Sequence, residues 1–140
     1  MRLDIYLKET RLLTELNRSL LDEVRIRIQD GQTLSKLEQS GVLHALQVLI
    51  ENAIGKARHT LKHLNITVPI SAYEVFEALA ENEGIEAANL DRWHAVIGLR
   101  NKIVHDYMNI NPDMILQLIR SREDDLVTEF LLNPMPEKSK

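Results

Sequence analysis

Apolar side chains in this chain recur at three- and four-residue steps, the spacing of helix faces rather than of half-buried strands. Leu13, Leu16, Leu20, Val24 and Ile28 trace one stripe and predict a first helix from Leu3 to about Gln29, ended by Asp30-Gly31. Arg11–Glu15 and Arg18–Asp22 are four apart with opposite charge, as on a solvated flank. A second stripe, Val42, Leu46, Leu49, Ala53, Ala57, Leu61 and Leu64, predicts a long helix from about Ser35 to Leu64, with Gly41 as a point where it could break or kink. Ser71 followed three residues later by Glu74 is a capping-box pattern, opening a short helix that ends near Glu83-Gly84. A fourth helix is expected from about Ala87 through Tyr107. Asn111-Pro112-Asp113 supplies an N-cap, a first-position proline and a first-turn acid for a last helix that runs to Leu132 and stops at Asn133-Pro134. Little reads as strand. The expected fold is all-α: an antiparallel up-down bundle of four long helices and one short one. Residues 1–133 are expected to form a single domain and 134–140 a flexible tail.

Composition narrows this picture. The chain of 140 residues is of one-domain size, and 44% hydrophobic with 27% charged residues is the balance of an ordinary globular protein. Cysteine is absent, which excludes disulfides, thiolate metal sites and cysteine nucleophiles and suits a reducing cytoplasm. No apolar run approaches the ~18 residues of a membrane span. The N-terminus lacks the basic-then-apolar order of a secretory signal. A soluble, cytoplasmic protein is therefore expected. With 17 basic and 21 acidic residues the net charge is −4, whereas a protein that grips long nucleic acid through many phosphates is usually basic. A nuclease that takes a flexible strand into one local site remains compatible with that charge.

The chemistry concentrates between Trp93 and Tyr107. With about 100° per helical residue, Trp93, Val96, Ile97, Ile103 and Val104 fall near Arg100, and Tyr107 falls nearly beneath it. An arginine thus occupies the middle of an apolar stripe, where an unpartnered guanidinium is costly. Asn101 and His105, four apart, sit one turn above each other on the stripe's edge. Arg100, Asn101, His105 and Tyr107 form a compact polar group that could line a cleft where two copies meet. Such a group suits RNA cleavage: histidine exchanges protons near neutral pH, arginine offers a planar fork to phosphate, and asparagine positions phosphate or ribose. No metal is needed. A two-fold axis through the site would bring two histidines together, an acid and a base.

The run Arg100-Asn101-Lys102-Ile103-Val104-His105-Asp106-Tyr107 resembles the R-x4-H-x-Y signature of the HepT-like branch of the HEPN superfamily. Glu74, Phe76 and Leu79, followed by the Glu83-Gly84-Ile85 turn, look like that family's segment before the motif helix, and Leu46 to Ala57, with Glu51 among apolar residues, looks like its second helix. The similarity covers roughly residues 40–130. It implies a homodimer with the motif at its interface, acting as the RNase toxin of a type VII toxin–antitoxin pair with RNA as substrate. The implied partner is a minimal nucleotidyltransferase antitoxin that transfers AMP to the motif tyrosine, here Tyr107. Arg100 and His105 inherit the catalytic roles. An AMP group on Tyr107 would set bulk and negative charge where RNA phosphate must sit. No cofactor is implied.

Blander assignments stand beside these. Arg100 could be a structural arginine paired with Glu51. His105 could be a helix-end histidine favoured by the macrodipole, and Tyr107 a core aromatic with its hydroxyl at the surface. Asn101 could be an ordinary surface residue. Glu51 could orient Arg100, take part in catalysis, or point to solvent. His59 and His63 are four apart, but Lys56, Arg58 and Lys62 crowd the same turns, so a basic helix end is favoured over a metal site. His94 is expected to be peripheral. The competing function is a non-catalytic helical module that binds a nucleotidyltransferase and presents nucleotide or substrate to it.

Overall fold

A computed structural model describes residues 3–136, among which there are helices and turns but no strand. Of the tail expected to be loose, 137–140 lie outside the described residues. Helix α1 spans Leu3–Gln29 and stops where Gly31 takes a positive φ of 77°. Helix α2, Lys36–His63, starts at a complete capping box. The Ser35 hydroxyl accepts from the Glu38 amide at 3.1 Å while the Glu38 carboxylate accepts from the Ser35 amide at 2.9 Å. With its first turn fixed this way, α2 runs through Gly41 without a break.

Helix α3, Ala72–Glu81, begins where Ser71 predicted, but the Ser71 side chain makes no capping bond. Arg58 instead holds the preceding loop through the carbonyls of Pro69 and Ile70. The expected fourth helix is shorter at both ends. Ala87–Asn89 is a 3₁₀ turn, α4 spans Leu90–His105, and Tyr107–Asn109 is a second 3₁₀ turn. The expected last helix is two: α5, Pro112–Arg120, and α6, Asp125–Leu132. Asn111 caps α5 as predicted, accepting from the Asp113 amide at 2.9 Å.

The break between α5 and α6 has a cause remote in sequence. Asp124 is buried, and its carboxylate takes two guanidinium bonds from buried Arg25 of α1, at 2.9 and 3.2 Å. The same arginine donates to the carbonyl of Ile119, in the last turn of α5. Satisfying that buried charge requires the chain to turn at 121–124, where Arg122 adopts a positive φ of 59°.

The core is built around α2, whose Leu46, Leu49, Ile50, Ala53, Ala57 and Leu61 are buried against α1, α3, α4 and α6. Phe76 of α3 stacks on Trp93 of α4 at 4.3 Å between centroids, and Phe130 of α6 closes edge-on against Trp93 at 5.1 Å. Lys56, also buried, donates to the carbonyls of Phe130, Leu131 and Asn133 and so caps the C-terminal end of α6.

Helix α1 departs from its predicted face. Its buried residues are Thr10, Thr14, Asn17, Leu21 and Arg25, while Leu16 is 63% exposed and Leu20 is exposed as well. Val24 and Ile28 do pack against the core. The polar residues tolerate burial because their own helix satisfies them. Thr14 Oγ1 donates to the Thr10 carbonyl at 2.6 Å and Asn17 Nδ2 to that of Leu13 at 2.9 Å. Asp22, expected to pair with Arg18, pairs with Arg25 at 3.2 Å.

Candidate functional site

Helix α4 carries three of the four motif residues, and its register is set by burial. Trp93, Ile97, Leu99 and Ile103 are buried, which fixes the helix against α2 and α3 and leaves Val104 and His105 outside. Asp91 in the first turn and Lys102 with His105 in the last complement the helix dipole. Arg100 falls between the two environments and is half-buried. Its Nε is shielded from solvent and has no hydrogen-bond partner among the described residues. A buried donor left unpaired costs about 1–3 kcal/mol, so the guanidinium keeps hydrogen-bonding capacity that the described residues do not use.

A purely structural role for Arg100 calls for an ion pair with Glu51. No such pair forms among the described residues; Glu51 is exposed and accepts from Gln47 Nε2 one turn earlier, at 3.1 Å. Glu51 therefore neither orients nor neutralises the arginine in this chain.

Asn101 is half-buried, with Nδ2 3.4 Å from the hydroxyl of Tyr73 on α3. The Tyr73 ring meets the His94 ring edge-on at 5.3 Å, and His94 Nε2 lies 3.7 Å from Glu77. A polar seam thus runs from the motif along the contact of α3 with α4. Tyr73 was not anticipated, because its partner is 28 positions away and its own helix gives no hint of it. The seam holds the Asn101 carboxamide in place.

His105 is the last residue of α4 and is exposed. Tyr107 does not continue that helix beneath Arg100 as helical spacing suggested. Asp106 leaves the helical region, with φ −145° and ψ 41°, and its carboxylate accepts from Asn109 at 2.6 Å. This local bonding by aspartate competes with another helical turn. Tyr107 is carried sideways to α2, where its hydroxyl lies 2.9 Å from that of Ser40. It remains 43% exposed. Val104 and Met108, both exposed, flank His105 and Tyr107 with apolar surface.

The second histidine group does not join this site. The His59 ring lies against Tyr6 of α1 at 4.4 Å, and no cluster of three or more metal-ligating side chains occurs among the described residues.

Comparison with known proteins bears on what this arrangement is. The family model for "Ribonuclease HepT-like" proteins matches residues 15–130, which takes in α2 to α5 and most of α1 and α6. The mRNA nuclease HepT of Shewanella oneidensis is 31% identical over 87 residues, covering 62% of this chain and 65% of the relative's own length. Among solved structures, a tri-AMPylated Shewanella oneidensis HEPN toxin in complex with an MNT antitoxin superposes with a TM-score of 0.77 at 24% identity, covering 94% of this chain and 96% of that one. A toxin–antitoxin structure with AMP-PNP gives a TM-score of 0.75 at 20% identity, covering 94% and 99%. At these identities the structural likeness speaks for the fold, and the family match speaks for descent. The chain belongs to the HepT-like ribonuclease family.

Proposed function

We propose that this chain is the toxin of a HEPN/MNT toxin–antitoxin pair: an RNA endonuclease, active as a homodimer without a metal ion, that is switched off by AMP transfer to Tyr107. The observation that carries the reading is the half-buried Arg100, whose Nε has no partner among the described residues, five positions before the exposed His105 on the same helix in a chain of ribonuclease family. A charged fork with unused donors is suited to hold a phosphate.

The cleavage step follows from these groups. One His105 removes the proton of a ribose 2′-OH, whose oxygen then bonds to the adjacent phosphorus. The bond from phosphorus to the 5′-oxygen breaks, and the partner subunit's His105 donates a proton to that leaving oxygen. The products are a 2′,3′-cyclic phosphate and a 5′-hydroxyl. Arg100 stabilises the charge that builds on the phosphorane oxygens, and Asn101, held by Tyr73, orients the phosphate or ribose. A homodimer that buries Val104 and Met108 would bring both motifs to one axis and exclude water from the shared cleft.

The off-switch is a separate group transfer by the nucleotidyltransferase antitoxin. The Tyr107 phenolic oxygen bonds to the α-phosphorus of ATP, the bond to pyrophosphate breaks, pyrophosphate leaves, and the phenolic proton passes to a base. The adduct then places a phosphate and its charge beside His105.

The test is cleavage of RNA by the purified, AMP-free chain in the presence of EDTA. Arg100→Ala and His105→Ala are each expected to lose activity by ~100-fold or more while folding and self-associating normally. Unchanged cleavage in either variant overturns the assignment. An AMP-free protein that binds the transferase yet cuts no RNA would favour the non-catalytic module instead.

A further inference from the structure

An apolar cleft of about 240 Å³ opens beside Tyr107 and has no part in the cleavage chemistry. Leu34, Leu43 and Ile115 wall it, and Lys36, Ser40 and Tyr107 itself contribute polar groups to its lining. We infer that this cleft is the seat of the adenine ring of an AMP group carried on Tyr107, an inference that rests on the adenylylation proposed above.

Size, chemistry and tethering all point the same way. The volume lies below the ~300–1,000 Å³ typical of pockets that enclose a drug-sized ligand. It suits one flat base rather than a whole triphosphate. Apolar walls with a few polar groups are what a heteroaromatic ring needs for burial. The base would be joined through ribose and phosphate to the oxygen of a residue in the cleft's own wall. Seating it is therefore intramolecular, at effective concentrations of roughly millimolar order for so short a tether.

Ser40 supports the arrangement. Before transfer its hydroxyl and the phenol share one hydrogen bond of 2.9 Å, in which either oxygen can donate. After transfer the phenolic oxygen has no proton, so Ser40 becomes the donor, to the ester oxygen or to a phosphate oxygen. Lys36, exposed and in the same lining, brings an ammonium to the phosphate's vicinity. A seated base would hold the phosphate in one orientation beside the motif rather than let it swing in solvent.

The experiment uses the full chain with methyl-labelled leucine and isoleucine, adenylylated with ATP by its transferase and mapped by intact mass and peptide digestion. Nuclear Overhauser contacts are expected from adenine H2 or H8 to methyls of Leu34, Leu43 and Ile115. An Ile110→Trp variant, which fills the cleft from its half-buried edge, should accept AMP on Tyr107 but lose those contacts and show a narrower phosphorus line. Tyr107 bearing AMP with no such contacts and unshifted methyls overturns the adenine seat and leaves adenylylation standing. Absence of any adduct on Tyr107 overturns adenylylation and the seat together. Methyl shifts that appear only when a non-cleavable RNA analogue meets the unmodified protein, and not with the adduct, assign the cleft to an RNA base and overturn the seat as well.

Discussion

Two buried or half-buried cations in this chain meet opposite fates, and the difference separates chemistry from architecture. Arg100 keeps a shielded Nε that is unpaired among the described residues, whereas Lys56 spends its donors on three carbonyls at the end of α6 and lies 5.1 Å from the centroid of the Phe130 ring. Burial nonetheless disfavours the Lys56 ammonium and pushes it from the ordinary 10.5 down to about 8. The sign of the consequence follows from proton counting. Between about pH 8 and 10.5 the unfolded chain holds this proton and the folded chain does not, so stability rises with pH across that window. Below pH 8 both states are protonated and the folded state bears the full cost of the buried charge. Urea unfolding of the native chain and of Lys56→Met should therefore diverge with pH. The stability of the native chain relative to the variant is expected to increase by up to roughly 3 kcal/mol from pH 7.5 to 10.

Elements in this protein are aligned by polar joints as much as by apolar stripes. Arg25 joins α1 to the α5–α6 turn through Asp124, with both side chains almost fully buried. Removing one partner leaves a buried charge uncompensated, so Asp124→Ala is expected to cost about 3–5 kcal/mol in chemical denaturation. The double variant Arg25→Met/Asp124→Leu should recover a large part of that loss, because no charge then remains to be buried. The same joint goes with an orientation of α1 that turns Leu16 and Leu20 outward and Leu21 inward. Leu16→Lys should thus leave the melting free energy within about 0.5 kcal/mol of the native value, while Leu21→Ala, in the core, should cost about 2–5 kcal/mol. Equal losses at the two positions would mean that α1 lies in the orientation its leucine spacing suggests, not the one described.

At the scale of the whole molecule, the proposed function needs a second copy. One chain offers one His105, and cyclising cleavage needs both an acid and a base. Specific RNase activity should therefore fall as the protein is diluted below its self-association range, and a tandem single-chain dimer should hold its activity constant over the same dilution. Activity independent of concentration in the untethered chain, down to where sedimentation detects only monomer, would remove the shared-site mechanism. The net charge of −4 agrees with a local grip on a flexible strand rather than a long electrostatic track, so salt should weaken RNA binding with a shallow slope.

Local signals fixed much of this in advance: the helical class, the span of α1, the Ser35 start of α2, the Asn111-Pro112 start of α5 and the placement of Arg100, Asn101 and His105 on one helix. Helical periodicity and capping act within a few residues, so one stretch of chain carries them whole. Tertiary structure alone decided which face of α1 is buried, where the last helix divides and where Tyr107 points. Each of these turns on partners far apart in the chain, Arg25 with Asp124 across 99 positions and Tyr107 with Ser40 across 67. A buried charge or hydroxyl takes the partner that folding brings to it, and spacing along the chain holds no trace of that choice.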